Sequence, residues 1–460
     1  MTRTIALVAS LGLAACAVGP DYTRSDRALP AAWSEAPAAA QVDPALALAD
    51  WWERFEDPLL TSLVERAARA NLDVRVASAR VREADALEGV AGSEQWPALD
   101  LRADAYGGTG RENSTALGVL ALFYEIDVFG RVRRNVEAAR ADQEAAWADR
   151  RAVLLAVVAD VATTYVQLRG LQHGLATVQR NLASQRETLD LTDAQRRVGL
   201  ASDLEVERAT ALSANTASVL PPLEAELAAA KHRLALLLGE PPAALHAELA
   251  GEAPIPAPPA EVVVGVPAEL LRRRPDVARA ERELAAATAR IGAAKAELYP
   301  RLTLVGSIGL RSEDVAQLVG GNTLGALGPS VEWPIFAGGR ILANVAAQDA
   351  RAEQAALRYE ETVLAALEQV ESALARHARE QVRRRDLRRA VDAQREAVEL
   401  AQRLYFNGLG PFLEVLDAER SLFASEALLS ESETAVGTTA VALYAALGGG
   451  WERAEALALP

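Results

Sequence analysis

An internal duplication constrains this chain more than any other feature. Arg340 follows Arg131 by 209 positions, and the same offset aligns the two copies without a gap as far as Gly239 and Gly448. Self-similarity at a fixed offset marks a chain built from copies of one structural unit. Upstream of Arg131 the offset falls to 203. The difference predicts a surface loop between about residues 107 and 131, because loops tolerate insertions.

Each copy predicts the same order of elements: a helix, two strands and two long helices. Proline ends the first helix of each copy and glycine ends the long ones, while adjacent prolines at 221 and 222 predict a kink in the first copy only. The predicted segments are a leader (1–15), an N-terminal segment (16–57), a first repeat (58–240), a Pro-rich connector (241–267), a second repeat (268–448) and a C-terminal tail (449–460). The first repeat comprises a helix over about 58–93, strands over about 98–107 and 117–128, and helices over 131–198 and 202–238. The second comprises a helix over about 275–297, strands over about 302–311 and 324–335, and helices over 340–407 and 411–447.

The predicted strands alternate apolar and polar residues, as Leu99 and Leu101 do with Asp100 and Arg102. Alternation over about ten residues is typical of outer-membrane strands, although a half-buried sheet in water shows the same pattern. After the leader, no uninterrupted apolar run approaches the roughly 20 residues that a membrane-spanning helix needs, so a membrane crossing would require strands.

Four strands cannot close a barrel, and an open sheet edge in lipid leaves backbone groups without partners. Several chains must therefore contribute strands if this sheet lies in a membrane. Three chains would supply twelve strands, although the sequence does not determine that number.

The first residues predict an export signal that ends at a lipidated cysteine. Arg3 precedes a short apolar run, and Leu13-Ala14-Ala15-Cys16 resembles a bacterial lipobox. We expect N-acyl and S-diacylglycerol groups on Cys16, whose chains would anchor the protein in the outer membrane. The alternative is an ordinary signal peptide that contains a cysteine.

Composition and motifs exclude several classes of function. The formal net charge of −15 argues against a nucleic-acid partner, because phosphate contacts need clustered Lys and Arg. The single Cys and the four scattered His predict no metal site, and we expect no other cofactor. The sequence has no P-loop, His-Glu-x-x-His or Gly-x-Ser-x-Gly motif, and Gly107-Gly108-Thr109-Gly110 is interpreted as a hairpin turn. We therefore predict that the protein is not an enzyme.

Several short motifs, in order along nearly the whole mature chain, are similar to those of one family. They are Cys16-Ala17-Val18-Gly19-Pro20-Asp21-Tyr22, Trp51-Trp52, Leu270-Leu271-Arg272-Arg273-Arg274-Pro275-Asp276, Phe336-Ala337-Gly338-Gly339-Arg340 and Leu447-Gly448-Gly449-Gly450-Trp451. The chain thus resembles the lipoprotein, NodT-like branch of the TolC/OprM outer-membrane efflux factors.

That resemblance implies a mainly α fold of two repeats with a β-barrel part. In a homotrimer, four strands per chain would complete a 12-stranded transmembrane β-barrel, and the long helices would form an α-barrel in the periplasm. The implied partners are a periplasmic adaptor (membrane fusion) protein and an inner-membrane pump of the resistance–nodulation–division type. The implied function is passive export of drugs or other toxic compounds through a duct in the Gram-negative outer membrane.

The resemblance also implies a gate at the periplasmic helical end. The matching positions are Tyr405, Leu413, Glu414, Asp417 and Arg420 in the second copy, with Leu204 and Glu205 in the first. Gly410 departs from the pattern, because the TolC branch has a gate arginine there. The spacing of Leu413, Asp417 and Arg420 places them on one helix face, although Asp417 and Arg420 could also form an ordinary surface pair. On the polar side of the strands, Glu125, Asp127 and Glu332 are the predicted carboxylates of the barrel lumen.

Two other functions remain open at this point. A duct for a type I protein secretion system would have the same architecture and a different cargo. A lipid-anchored periplasmic coiled-coil scaffold without a pore would also contain long helices, but it would not need the alternating strands.

Overall fold

The computed structural model of the chain describes residues 17–23, 30–35, 48–106, 115–259, 266–267, 273–312, 320 and 322–458. The predicted leader, Cys16 and the turn over 107–110 lie outside the described residues. The chain divides into two compact units, each containing segments of both repeats. Unit 1 comprises 1–28, 78–149 and 276–363, and unit 2 comprises 29–77, 150–275 and 364–460.

The described elements follow one another in the order helix, strands, long helices, and this order occurs twice. In chain order they are a 3-10 helix (Trp51–Phe55), α1 (Pro58–Ala70), α2 (Leu72–Ser93), β1 (Ala98–Tyr106), β2 (Thr115–Ile126), α3 (Arg131–Arg197), α4 (Asp203–Ala217), α5 (Leu220–Leu237), α6 (Pro275–Ala296), β3 (Arg301–Ser312), β4 (Asn322–Glu332), α7 (Arg340–Phe406), α8 (Phe412–Ala446) and α9 (Trp451–Ala458).

The long helices of the two copies match in length and in how they end. Both α3 and α7 have 67 residues. Each is followed by a glycine with positive φ, Gly199 at 79° and Gly408 at 71°. The next residue donates its N–H back into the last turn, from Leu200 to Gln195 O and from Leu409 to Leu404 O, both at 2.9 Å. Only glycine adopts such a left-handed conformation at no steric cost, so these glycines set where the helices stop.

Two predicted helices are each divided into two in the structure. The helix predicted over 202–238 with a kink at Pro221 and Pro222 is two helices, α4 and α5, because these prolines supply no N–H to a continuing ladder and lie instead in the first turn of α5. The helix predicted over 58–93 divides at Asn71, whose Oδ1 accepts from the N–H groups of Asp73 and Val74 at 2.8 and 3.2 Å. This amide caps the start of α2, so a new helix begins there.

The core of unit 2 is built around a cluster of aromatic side chains. Trp51 stacks on Tyr444 with ring centroids 5.2 Å apart, and its edge contacts Trp52 and Phe55. Gly450 lies against the indole of Trp51, where a Cβ would come within 2.6 Å of Nε1. The apolar face of α1 packs into the same core. These contacts explain why the tryptophan pair and the glycine run occur together in one sequence.

Unit 1 contains one antiparallel sheet in the order β1-β2-β3-β4. The hairpin of the first repeat joins that of the second through β2 and β3. Directly paired residues lie on the same face of a sheet. The register therefore places the predicted apolar residues of all four strands on one face. Across that face, Leu101 pairs with Leu120 and Leu120 with Ile308. Among the described residues, the outer edges of β1 and β4 have no strand partner.

One described helix, α3, has an 18-residue stretch that is long and apolar enough to cross a membrane. This finding corrects the expectation, based on uninterrupted apolar runs, that no helix after the leader is apolar enough to cross a membrane. Length and composition are the only basis for this assignment, and 44% of the stretch is buried inside the structure. A packed core helix passes the same test, so the finding does not change the topology.

Candidate functional site

The helical end of unit 2 is held together by a small apolar cluster. Phe412, Val415 and Leu416 of α8 pack with Ala209 of α4, and Tyr405 of α7 lies against them. The helix pair α3–α4 of the first repeat and the helix pair α7–α8 of the second are therefore in contact at the end where the gate is predicted.

Tyr405 links α7 to α3 by a hydrogen bond. Its hydroxyl donates to Gln195 Oε1 at 2.8 Å, and its ring lies 5.0 Å from that of Phe412. Burial, and next the charge of Glu205, raise the pKa of the Tyr405 hydroxyl above its ordinary value. Tyr405 thus stays a neutral donor at physiological pH and connects the second repeat to the first.

Leu413, Asp417 and Arg420 lie on one exposed face of α8. Leu413 is 56% exposed. Arg420 Nη2 donates to Asp417 Oδ1 at 2.5 Å, and the two side chains are 72% and 62% exposed. Contacts within the chain therefore leave this leucine and this ion pair accessible, as ring-forming residues must be. Their part in a gate stays a prediction.

In the structure, Glu205 caps the start of a helix. Its carboxylate accepts from the N–H of Ser202 at 2.6 Å, while Ser202 Oγ accepts from the N–H of Glu205 at 3.4 Å. This reciprocal arrangement is a capping box, which satisfies N–H groups that a helix start leaves unpaired. Glu205 therefore begins α4, whereas Leu204 and Glu414 beside the turns are exposed.

Sequence reasoning missed a buried carboxylate near this end. Glu419 of α8 is 6% exposed, and its Oε1 accepts from Thr188 Oγ1 at 2.8 Å and from Gln402 Nε2 at 3.2 Å. Its Oε2 and Gln185 Oε1 are buried without a hydrogen-bond partner. The sequence spacing could have indicated that Glu419 is buried, since it follows the apolar residues Phe412 and Val415 by seven and four positions and so lies on their helix face.

The buried position of Glu419 predicts a pH dependence of stability. Burial raises the pKa of this carboxyl above its ordinary 4.5, against the lowering effect of its two hydrogen bonds. Between the ordinary and the raised pKa the folded state binds more protons than the unfolded state. The free energy of unfolding therefore falls as pH rises through that interval. Glu419→Gln cannot ionise, so we expect a higher thermal unfolding midpoint than wild type at pH 8.

The same comparison at lower pH provides the check. Below pH 4.5 both states of wild type are protonated, so the advantage of Glu419→Gln should shrink there. Glu207→Gln, at an exposed position on α4, is the matched control and should leave the pH profile unchanged. A constant difference between Glu419→Gln and wild type from pH 4 to pH 8 would contradict the expectation.

The predicted lumen carboxylates occupy three different settings in unit 1. Glu125 in β2 makes a two-point ion pair with Arg131, with N–O distances of 2.9 and 2.8 Å. Asp127 was placed in a strand, which is wrong, because β2 ends at Ile126. Its Oδ2 accepts from the N–H of Arg133 at 2.8 Å, so it caps the start of α3.

Glu332 is the third of these carboxylates, at the end of β4. It is exposed and lies opposite Arg301 in the register. Arginines at the start of α3 thus neutralise the charges of Glu125 and Asp127. Of the three predicted lumen carboxylates, Glu332 is therefore the one for which we still predict a role that depends on its negative charge.

No group of His, Cys, Asp and Glu in the part of the chain that the structure describes could hold a metal ion. There, an exposed ion pair lies at the helical end of unit 2. Unit 1 contains a sheet with one apolar face and one face of mixed polar and apolar residues.

Comparisons with known proteins agree over nearly the whole chain. The model of the outer membrane efflux protein family matches residues 63–240 and 266–449. The chain is 36% identical over 451 residues to nodulation protein T of Rhizobium leguminosarum bv. trifolii, covering 96% of both chains. It is 32% identical over 477 residues to the toluene efflux pump outer membrane protein TtgF of Pseudomonas putida, covering 98% of this chain and 97% of that one.

A solved structure of the outer-membrane channel OprN has the same fold. It superimposes with a TM-score of 0.87 at 36% identity, covering 95% of this chain and 100% of that one. The mainly helical two-repeat fold with a four-stranded sheet, expected from the motifs, is thereby confirmed. The chain therefore belongs to the outer membrane efflux protein family.

Proposed function

We propose that the protein is the outer-membrane exit duct of a tripartite efflux pump and works as a homotrimer. The observation that carries this proposal is the sheet of unit 1. Its apolar face is exposed in the chain, with Leu101 at 79% and Leu327 at 72%. A sheet with such a face and two open edges is stable in hydrocarbon only when further strands close it into a barrel. Three copies supply twelve strands.

The other parts of the proposal follow from what a duct requires. Acyl chains on Cys16 anchor each copy in the outer membrane. An adaptor and an inner-membrane resistance–nodulation–division pump supply energy and select cargo, and the relative TtgF, named as part of a toluene efflux pump, supports this assignment. The cargo class we propose is drugs or other toxic small molecules.

At the helical end, we propose that three copies place Leu413 and Asp417 in rings around the axis. A leucine ring blocks water and ions by packing and dewetting, and an aspartate ring attracts cations and repels anions. The gate opens when adaptor binding favours the separated arrangement of the helices.

The full-length protein, purified from outer membranes in detergent, tests the proposal. We expect native mass spectrometry to give three polypeptides, each with the mass of an acylated Cys16, and planar bilayers to show discrete cation-selective channels. A deletion strain should become more susceptible to toxic compounds, while complementation restores resistance. A single polypeptide without channel activity would refute the duct and favour the coiled-coil scaffold.

A further inference from the structure

The duplication contains information about contacts between copies of the chain. Within unit 2, α3 of the first repeat packs closely against α8 of the second. A Cβ added to Gly170 would lie 2.1 Å from Thr434 Oγ1, and a Cβ added to Gly437 would lie 2.7 Å from Val166 Cγ1. Farther along, Asn181 Nδ2 donates to Glu426 Oε2 at 2.9 Å. We call this contact the inner seam.

The offset of 209 positions maps the inner seam onto a second pair of surfaces. It maps α3 onto α7, and it maps α8 onto α4 and α5. The contact of Gly170 with Thr434 becomes a contact of Arg379 with Ala225, and these two positions are exposed in the chain. The equivalent seam, which we call the outer seam, therefore needs a second copy.

The charges on the two sides of the outer seam are opposite. Glu224 and Glu226 flank Ala225 on α5, and Arg376 precedes Arg379 by one turn on α7. All four charged side chains are exposed, and none of them forms an ion pair with another residue in the part of the chain that the structure describes. Opposite charges beside a helix–helix seam select the partner and its register.

This concentration of positive charge is confined to the second repeat. Positions 376–389 contain seven arginines, whereas the aligned positions 167–180 contain two. The inner seam has glycines at 170 and 174, where the outer seam has Arg379 and Arg383. The two copies of the unit have thus diverged at the seam itself: the inner seam is close-packed around glycines, and the positions of α7 aligned with those glycines are arginines.

Shape supports the same register. Following the antiparallel register from Arg379 and Ala225, position 236 lies opposite position 368. Leu236 of α5 is 57% exposed. Glu368, Ser372 and Arg376 share the α7 face of Arg379 and line a cavity of about 570 Å³, together with alanines of α8. In this register the exposed leucine of one copy would lie opposite the hollow on the next copy.

We propose that a second copy docks at the outer seam, so that Glu224 and Glu226 of one copy form ion pairs with Arg376 and Arg379 of the next. Leu236 enters the cavity beside Ser372. The two surfaces differ, so the contact is head to tail and closes a ring. This inference rests on the proposed duct and specifies the residues that join its subunits.

Disulfide cross-linking of the full chain in outer membranes tests the register. Ala228 and Ala375 are the outer-seam equivalents of Gly437 and Val166, so Ala228→Cys with Ala375→Cys should give cross-linked adducts between copies. Ala217→Cys with Ala375→Cys is the mismatched control, because 217 is the last residue of α4 and precedes 228 of α5 by eleven positions, about 16 Å at the rise of an α-helix. An acylated Cys16 has no free thiol, and the single variants Ala228→Cys and Ala375→Cys show any adduct that one introduced cysteine forms alone.

Charge reversal tests the chemistry. Arg379→Glu should remove most of the adduct and lower the temperature at which the assembly dissociates, because it places three carboxylates together. Combining Arg379→Glu with Glu224→Arg and Glu226→Arg should restore the adduct and the dissociation temperature. Arg385→Glu changes another arginine of α7, 71% exposed, which lies about 120° around the helix from Arg379. It should leave both measurements unchanged.

Three outcomes would overturn the outer seam: equal cross-linking of the matched and mismatched pairs, no rescue by charge exchange, or an adduct with a different polypeptide. If these occur in a protein that still forms conducting trimers, the duct stands and only the seam is wrong. A protein that is a single polypeptide in detergent refutes both.

Discussion

Asp417→Ala combined with Arg420→Ala is expected to raise single-channel conductance in planar bilayers severalfold and to reduce cation selectivity. Both side chains are exposed on one face of α8 and pair with each other at 2.5 Å. Three copies around an axis would turn this pair into a narrow charged ring. Removing it widens the opening and removes the field that selects cations.

The cost to the fold should be small, because ion pairs three or four residues apart on a helix surface contribute about 0.2–0.5 kcal/mol. Arg385→Ala with Asp386→Ala is a matched control. It removes another exposed Arg–Asp pair, at 3.8 Å, from α7 and away from the helical end. Its conductance should equal that of wild type. An unchanged conductance in the Asp417 and Arg420 double variant would remove both residues from the gate.

Trp51→Ala should destabilise unit 2 by about 3–5 kcal/mol, the usual cost of removing a large buried aromatic side chain. Trp51 is 1% exposed, and its ring contacts three other aromatic rings, including the stacked Tyr444. The truncation would leave a cavity between the 3-10 helix and α8. We expect a large fall in the midpoint of guanidinium or thermal unfolding.

Trp51→Phe separates the loss of stacking from the loss of volume. A phenyl ring keeps the stack on Tyr444, so this variant should retain most of the stability that Trp51→Ala loses. Trp96→Ala is the exposed control, since Trp96 is 73% exposed in the chain, and we expect a change within about 0.5 kcal/mol. Equal midpoints for Trp51→Ala and wild type would contradict the assigned core.

At the helical end, the sequence predicted the shared face of Leu413, Asp417 and Arg420, because spacing along one helix fixes which residues share a face. It did not predict the capping role of Glu205. That role depends on the position where the chain leaves the turn and on which carboxylate then reaches the N–H of Ser202. Nor did it predict the partners of Glu419, which come from α3 and α7.

For the fold, the sequence by itself determined the duplication, the family, the order of elements and the glycine positions where the long helices end. The order of elements and the helix ends follow from local conformational preference and from periodicity, which are properties of short stretches of chain. The duplication and the family follow from similarity over much longer stretches of sequence. It also determined which strand residues share a face, because the side-chain period of a strand is two.

Only the tertiary structure decided the pairing of β2 with β3 across the two repeats, the stack of Trp51 on Tyr444 and the close approach of Gly170 to Thr434. The neutralisation of Glu125 by Arg131 also depends on where a strand end and a helix start meet. Each of these contacts joins groups whose proximity is set by how elements pack. Packing depends on the shape and charge of both partners at once, and a single stretch of sequence contains one partner only.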